Sequence, residues 1–93
     1  MIKVTYTMTV AEANAGAMAA ALADLGKVIE GLPGCNGTRA LQSTDQAGLF
    51  LFEENWPSAE VYAEAAPLLP KEAFAVIKPL LTAPPARSMW QGD

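Results

Sequence analysis

No histidine occurs in the 93 residues, and cysteine occurs once. Without histidine there can be no Ser-His-Asp triad, no Cys-His dyad, and no His-ligated zinc or haem. A single cysteine excludes an internal disulfide and a cysteine metal cluster, and it fits a reducing compartment. Charge is also scarce: charged residues are 17% of the chain, with six Lys+Arg against ten Asp+Glu and a formal net charge of −4. So acidic a chain is a poor binder of nucleic acid or of an anionic membrane. No long apolar run resembles a signal peptide or a spanning helix. The Ala-rich stretch after Val10 is interrupted by Glu12, Asn14, Asp24 and Lys27. The expectation is one soluble, cytoplasmic domain over residues 1–93.

Hydrophobic residues make up 52% of the chain, but eighteen of them are alanine. Alanine buries little area, so the core is smaller than that fraction implies. A domain this small and thinly packed gains from a partner subunit.

The first segment alternates with period two. Ile2, Val4, Tyr6 and Met8 fall on one face, and Lys3, Thr5, Thr7 and Thr9 on the other. Thr9-Val10-Ala11-Glu12 then matches a capping box. Met18, Leu22, Leu25, Ile29 and Leu32 follow as one helical stripe, which Gly31 and Pro33-Gly34 terminate. Cys35 to Thr44 reads as a second strand, Asp45 to Gly48 as a turn, and Gly48 to Trp56 as a third strand. That third strand places Phe50, Phe52, Glu54 and Trp56 on one face, and Leu49, Leu51, Glu53 and Asn55 on the other. Its first half is apolar on both faces. One face meets the protein's own helices, and the other calls for a second sheet, which predicts a homodimer.

Ser58 is a plausible N-cap for a second helix that fails near Pro67. Pro70 opens a further helical stretch with Phe74, Ile77 and Leu81, which Pro79 kinks or ends. After Pro84-Pro85, Ala86 to Gln91 reads as an edge strand. The order βαββαβ predicts an α+β, ferredoxin-like sandwich, with a four-stranded antiparallel sheet carrying its helices on one face.

Leu32-Pro33-Gly34-Cys35 before the second strand, Glu54-Asn55-Trp56 closing the third and Pro57-Ser58-Ala59-Glu60 after it resemble the antibiotic biosynthesis monooxygenase family. The resemblance spans about Ile2 to Trp90. It implies a dimeric α+β barrel with a pocket in each subunit between sheet and helices. It also implies cofactor-free oxygenation of phenols, quinones or anthrone-like compounds. Many members carry a histidine about nine residues after the tryptophan and often another soon after. Here Ala65 and approximately Pro70 stand there. Haem degradation through such a ligand is therefore not expected, and no cofactor is.

Without histidine, proton transfer falls to Tyr, Glu, Arg, Asn or water. Tyr6 and Glu54 are the catalytic candidates. Tyr6 can hydrogen-bond a substrate oxygen or be a core tyrosine. Glu54 on an apolar face would have its pKa raised toward that of a useful base, or else form a salt bridge to Arg39 or Arg87. Phe52, Trp56, Tyr62, Phe74 and Arg87 are the candidate substrate contacts. Trp56 and Phe74 can equally serve packing, and Arg87 can pair with an acidic neighbour. Cys35, with no local cation, reads as a small structural residue. Two other functions stay open on the same scaffold: a non-catalytic small-molecule-binding or accessory protein, and an oxygen-independent isomerase or cyclase.

Overall fold

The alternation of the first segment becomes the central strand of a sheet. A computed structural model describes residues 1–92; Asp93, the last residue of the expected domain, lies outside them. The strands are β1 (Ile2–Thr9), β2 (Thr38–Gln42), β3 (Leu49–Trp56) and β4 (Ala86–Gln91). Helix α1 (Ala15–Glu30) follows β1; α2 (Ala59–Ala65) and the single turn α3 (Glu72–Ala75) lie between β3 and β4. The sheet order is β2-β3-β1-β4, antiparallel throughout, which is the ferredoxin-like α+β arrangement. No described helix is long and apolar enough to cross a membrane.

The core lies between the inner sheet face and α1. Ile2, Val4 and Met8 of β1 and Phe50, Phe52 and Trp56 of β3 pack with Met18, Leu22, Leu25 and Ile29 of α1. Ala65 is buried in this core. The polar partner of that face is Glu54, and the outer face carries Glu53. Glu53 pairs with Lys3 at 3.2 Å and Arg39 at 4.0 Å across the strands.

Three elements differ from the sequence pattern: the stretch opened by Pro70 forms only the single turn α3, with Ile77 and Leu81 beyond it, and α1 and β2 have other ends than expected. The Thr9–Glu12 capping box does not form: a 3-10 turn, Glu12–Asn14, precedes α1, and neither makes a side-chain cap bond. Thr9 is held in β1 instead. Its carbonyl accepts from the Thr82 N–H at 2.9 Å, and its hydroxyl meets the Thr82 hydroxyl at 3.0 Å. The second strand starts at Thr38 rather than Cys35, and ends at Gln42. Gly34 and Gly37 have φ of +88° and +125°, conformations that interrupt an extended run. Downstream, Ser58 caps α2 as expected, its hydroxyl accepting from the Val61 N–H at 3.2 Å.

The β2–β3 turn docks on the end of β1 through the Val10 N–H, which donates to the Gly48 carbonyl at 2.8 Å. A Cβ at position 48 would strike the Val10 carbonyl. Gly48→Ala is therefore expected to destabilise the protein by about 2 kcal/mol in urea denaturation. A change within about 0.5 kcal/mol, typical of an unconstrained surface site, would show that the turn moves aside freely.

Candidate functional site

The register of β1 decides which polar groups meet. Tyr6 sits opposite Phe52 on β3 and opposite Arg87 on β4, and Val4 sits opposite Glu54. Tyr6 and Glu54 are thereby brought to the same stretch of the inner face. Together they line a cavity of about 100 Å³. Phe52 and Phe74 supply aromatic wall, and Met8, Leu25, Ile29 and Leu69 supply the aliphatic remainder.

Glu54 is 4% exposed. Its Oε1 accepts the indole N–H of Trp56 at 2.9 Å. Burial pushes the Glu54 carboxyl above its usual pKa, and the indole hydrogen bond partly opposes the shift. Neither Arg39 nor Arg87 pairs with it: Arg39 reaches Glu53, and Arg87 reaches Tyr62.

The Tyr6 hydroxyl lies 2.9 Å from the Tyr62 hydroxyl, and Arg87 Nη1 donates to the Tyr62 hydroxyl at 3.2 Å. Burial, then the bond to Tyr62, then the charge of Glu54 push the Tyr6 phenol well above its usual pKa, while Arg87 pulls it down. Tyr6 therefore keeps its proton at neutral pH and acts as a hydrogen-bond donor, not as a base. The bond to Tyr62 and the nearby tyrosines hold the Arg87 guanidinium firmly protonated.

Trp56, Tyr62 and Arg87 lie outside the cavity wall. Trp56 is 1% exposed, with its ring edge-on to Tyr62 at 5.6 Å and 63°. Its polar edge serves Glu54, and its apolar body joins sheet to α2. Tyr62, on α2, bridges Tyr6 to the exposed Arg87. The remaining wall residues had uneven sequence signals. Met8 shares the strand face of Tyr6, and Leu25 and Ile29 lie on the α1 stripe. Leu69 follows Pro67 in an irregular segment where no periodicity points inward. Larger hollows of about 390 and 410 Å³, beside Gly34 and Lys78 respectively, lie outside this polar network. Among the described residues no three His, Cys, Asp or Glu side chains cluster as a metal site.

Comparison with protein families matches residues 1–66 to antibiotic biosynthesis monooxygenase. The matched span contains Tyr6, Phe52, Glu54, Trp56 and Tyr62; Phe74 and Arg87 lie beyond it. Among solved structures, a conserved protein from Methanosarcina mazei Go1 superposes with a TM-score of 0.85 at 14% identity, covering 99% of this chain and 92% of that one. A Nitrosomonas europaea protein provisionally named an antibiotic biosynthesis monooxygenase gives 0.83 at 17% identity, over 99% and 98%. A Caulobacter crescentus CB15 protein of the same provisional name gives 0.82 at 23%, over 99% and 89%. At these identities the likeness is one of fold. No curated protein matches the chain significantly.

Proposed function

Because the chain belongs to the antibiotic biosynthesis monooxygenase family, we propose that it is a cofactor-independent monooxygenase acting on a single-ring phenol or hydroquinone. The observation that carries this reading is that an acceptor, Glu54, and a protonated phenol, Tyr6, line the same small apolar cavity from one face of the sheet. Benzene occupies an engineered cavity of about 150 Å³, so a cavity of about 100 Å³ has to widen to take a single ring and would have to widen far more for a polycyclic anthrone.

In this scheme Glu54 removes the hydroxyl proton of a hydroquinone, and its raised pKa makes it a better-matched base than an exposed carboxylate. Tyr6 donates to the oxyanion that forms, where a preorganised donor in a dry site is most effective. The electron-rich anion then reduces dioxygen. Hydroquinone plus O2 gives hydroxyquinone plus water, so the substrate supplies all four electrons and no other reductant is needed. Phe52 and Phe74 hold the ring, Trp56 orients Glu54, and Tyr62 with Arg87 supports Tyr6.

Anaerobic mixing with a panel of single-ring hydroquinones, followed by admission of oxygen, tests the scheme. Enzyme-dependent oxygen uptake is expected. Turnover without oxygen would instead favour an isomerase or cyclase, for which the Glu54–Tyr6 pair also suffices. Thermal shifts by these ligands with no product would favour a binding protein.

The same proposal includes a homodimer closed sheet to sheet, and a cytoplasmic location in keeping with the free Cys35. The outer sheet face carries Leu41 at 40% exposure and Trp90 at 58%. The Trp90 indole donates to the Thr5 hydroxyl at 3.0 Å. Exposed apolar surface of this kind is costly on a monomer. Light scattering is expected to give twice the chain mass for the wild type and a monomer for Trp90→Glu. A monomeric wild type at micromolar concentration would contradict the dimer.

A further inference from the structure

A cavity of about 100 Å³ has to widen before a ring enters, so the part of the wall that yields decides what the site accepts. Most of the wall is clamped. Met8, Phe52 and Glu54 are buried on paired strands, and Leu25 and Ile29 are buried on α1. Tyr6 is held by its hydroxyl contact with Tyr62. Leu69 and Phe74 are only half-buried and come from the stretch between β3 and β4. Phe74 sits on the single turn α3, which has no side-chain cap, and its own N–H reaches the Lys71 carbonyl only at 3.4 Å. Buried Ile77 anchors the backbone just beyond it. The Phe74 ring can therefore change rotamer while the segment stays in place.

Phe74 also lines a second space, the hollow of about 410 Å³ beside Lys78. Leu81, Pro84 and Pro85 make that hollow largely apolar. Its side-chain polar groups are Thr82, whose hydroxyl already bonds to Thr9, and Lys78. Among the described residues the ion pairs join Lys3 and Arg39 to Glu53, which leaves the exposed Lys78 ammonium without a carboxylate partner. In a chain of net charge −4, an unpaired cation beside an apolar hollow is a local reversal of sign that draws anions. We propose that Phe74 is the specificity-determining partition between the two spaces: with its ring turned aside, the site takes a phenol whose apolar substituent crosses into the hollow and ends in a carboxylate beside Lys78. The proposal rests on the phenol site above and names the class of phenol that the site takes.

Titration calorimetry tests it with phenol, 3-(4-hydroxyphenyl)propanoate, 5-(4-hydroxyphenyl)pentanoate and the amides of the two acids. The wild type should bind at least one acid more tightly than its amide by about 3-fold, the scale of one exposed ion pair. Lys78 is exposed, so Lys78→Met should fold, and it should lose that preference. Phe74→Ala removes the partition and should raise the affinity for tailed phenols relative to phenol itself by about 10-fold, as for a modest change in an apolar pocket. Phe74→Leu should shift the same ratio less, and it keeps the test open should the alanine variant unfold. Equal binding of acid and amide by the wild type, or a preference that survives Lys78→Met, would overturn the carboxylate end. An unchanged ratio of tailed to plain phenol in the Phe74 variants would overturn the partition. Binding of phenol but of no tailed phenol would overturn this proposal and leave the phenol site standing. Failure of all five ligands to bind would overturn the phenol site as well.

Discussion

Trp56→Ala is expected to lower the free energy of unfolding by about 3–5 kcal/mol, the usual range for a fully buried large aromatic. That is a large share of the roughly 5–15 kcal/mol available to a domain. Three losses coincide at this side chain. A ring that is 1% exposed leaves a void, its edge contact with Tyr62 disappears, and Glu54 loses its indole donor while still buried. Trp56→Phe separates the last loss from the others. It keeps most of the apolar volume and removes the N–H. The indole bond is what holds the Glu54 pKa down, so it should climb further in that variant. Urea denaturation measures the first effect. A shift under about 1 kcal/mol for Trp56→Ala would mean that the sheet–α2 junction repacks easily.

Glu54→Gln is expected to reduce kcat by about 10²–10⁴-fold, the usual contribution of a positioned general base. Stability should move the opposite way. The folded protein holds the Glu54 proton more tightly than the unfolded chain does, because burial raises the folded-state pKa. The stability linked to that proton is fully present below the ordinary carboxylate pKa and is lost as pH rises through the elevated folded value. Glutamine carries no charge and suffers no such loss, and it can still accept from Trp56. The variant should match the wild type in acid and melt at a higher temperature than the wild type at neutral pH. Wild-type turnover should rise with pH through the same elevated value. A variant that is both active and less stable at neutral pH would assign Glu54 a structural role.

Strand faces were legible because period two is a strong local signal. Alternation along β3 separated Glu54, inside, from Glu53, which pairs outside with Lys3 and Arg39. Pro84-Pro85 and the short run after them marked the edge strand. The start of α1 was not legible: Thr9 satisfies a capping pattern, but Thr82 engages it from 73 residues away. The onset of β2 was misread because Gly34 and Gly37 adopt positive φ, which composition does not announce. The candidate residues were visible one by one, but their connections were not. That Arg87 meets Tyr62 and not an acid follows from the β1–β4 register, which sets Arg87 opposite Tyr6, and from the Tyr6–Tyr62 contact between sheet and α2, neither of which is written in a local pattern. Leu69 reaches the cavity from an irregular segment with no period to read.

The reading of the Glu54–Tyr6 cavity as a cofactor-free oxygenation site is tested most directly by isotopically labelled dioxygen. Purified, chelator-treated protein is given a single-ring hydroquinone under the label, with Glu54→Gln as control, and the product is analysed by mass spectrometry. One heavy oxygen atom in the hydroxyquinone, formed far faster with the wild type than with Glu54→Gln, is the expected result. Product without label, or labelled product formed equally fast by the variant, would contradict it.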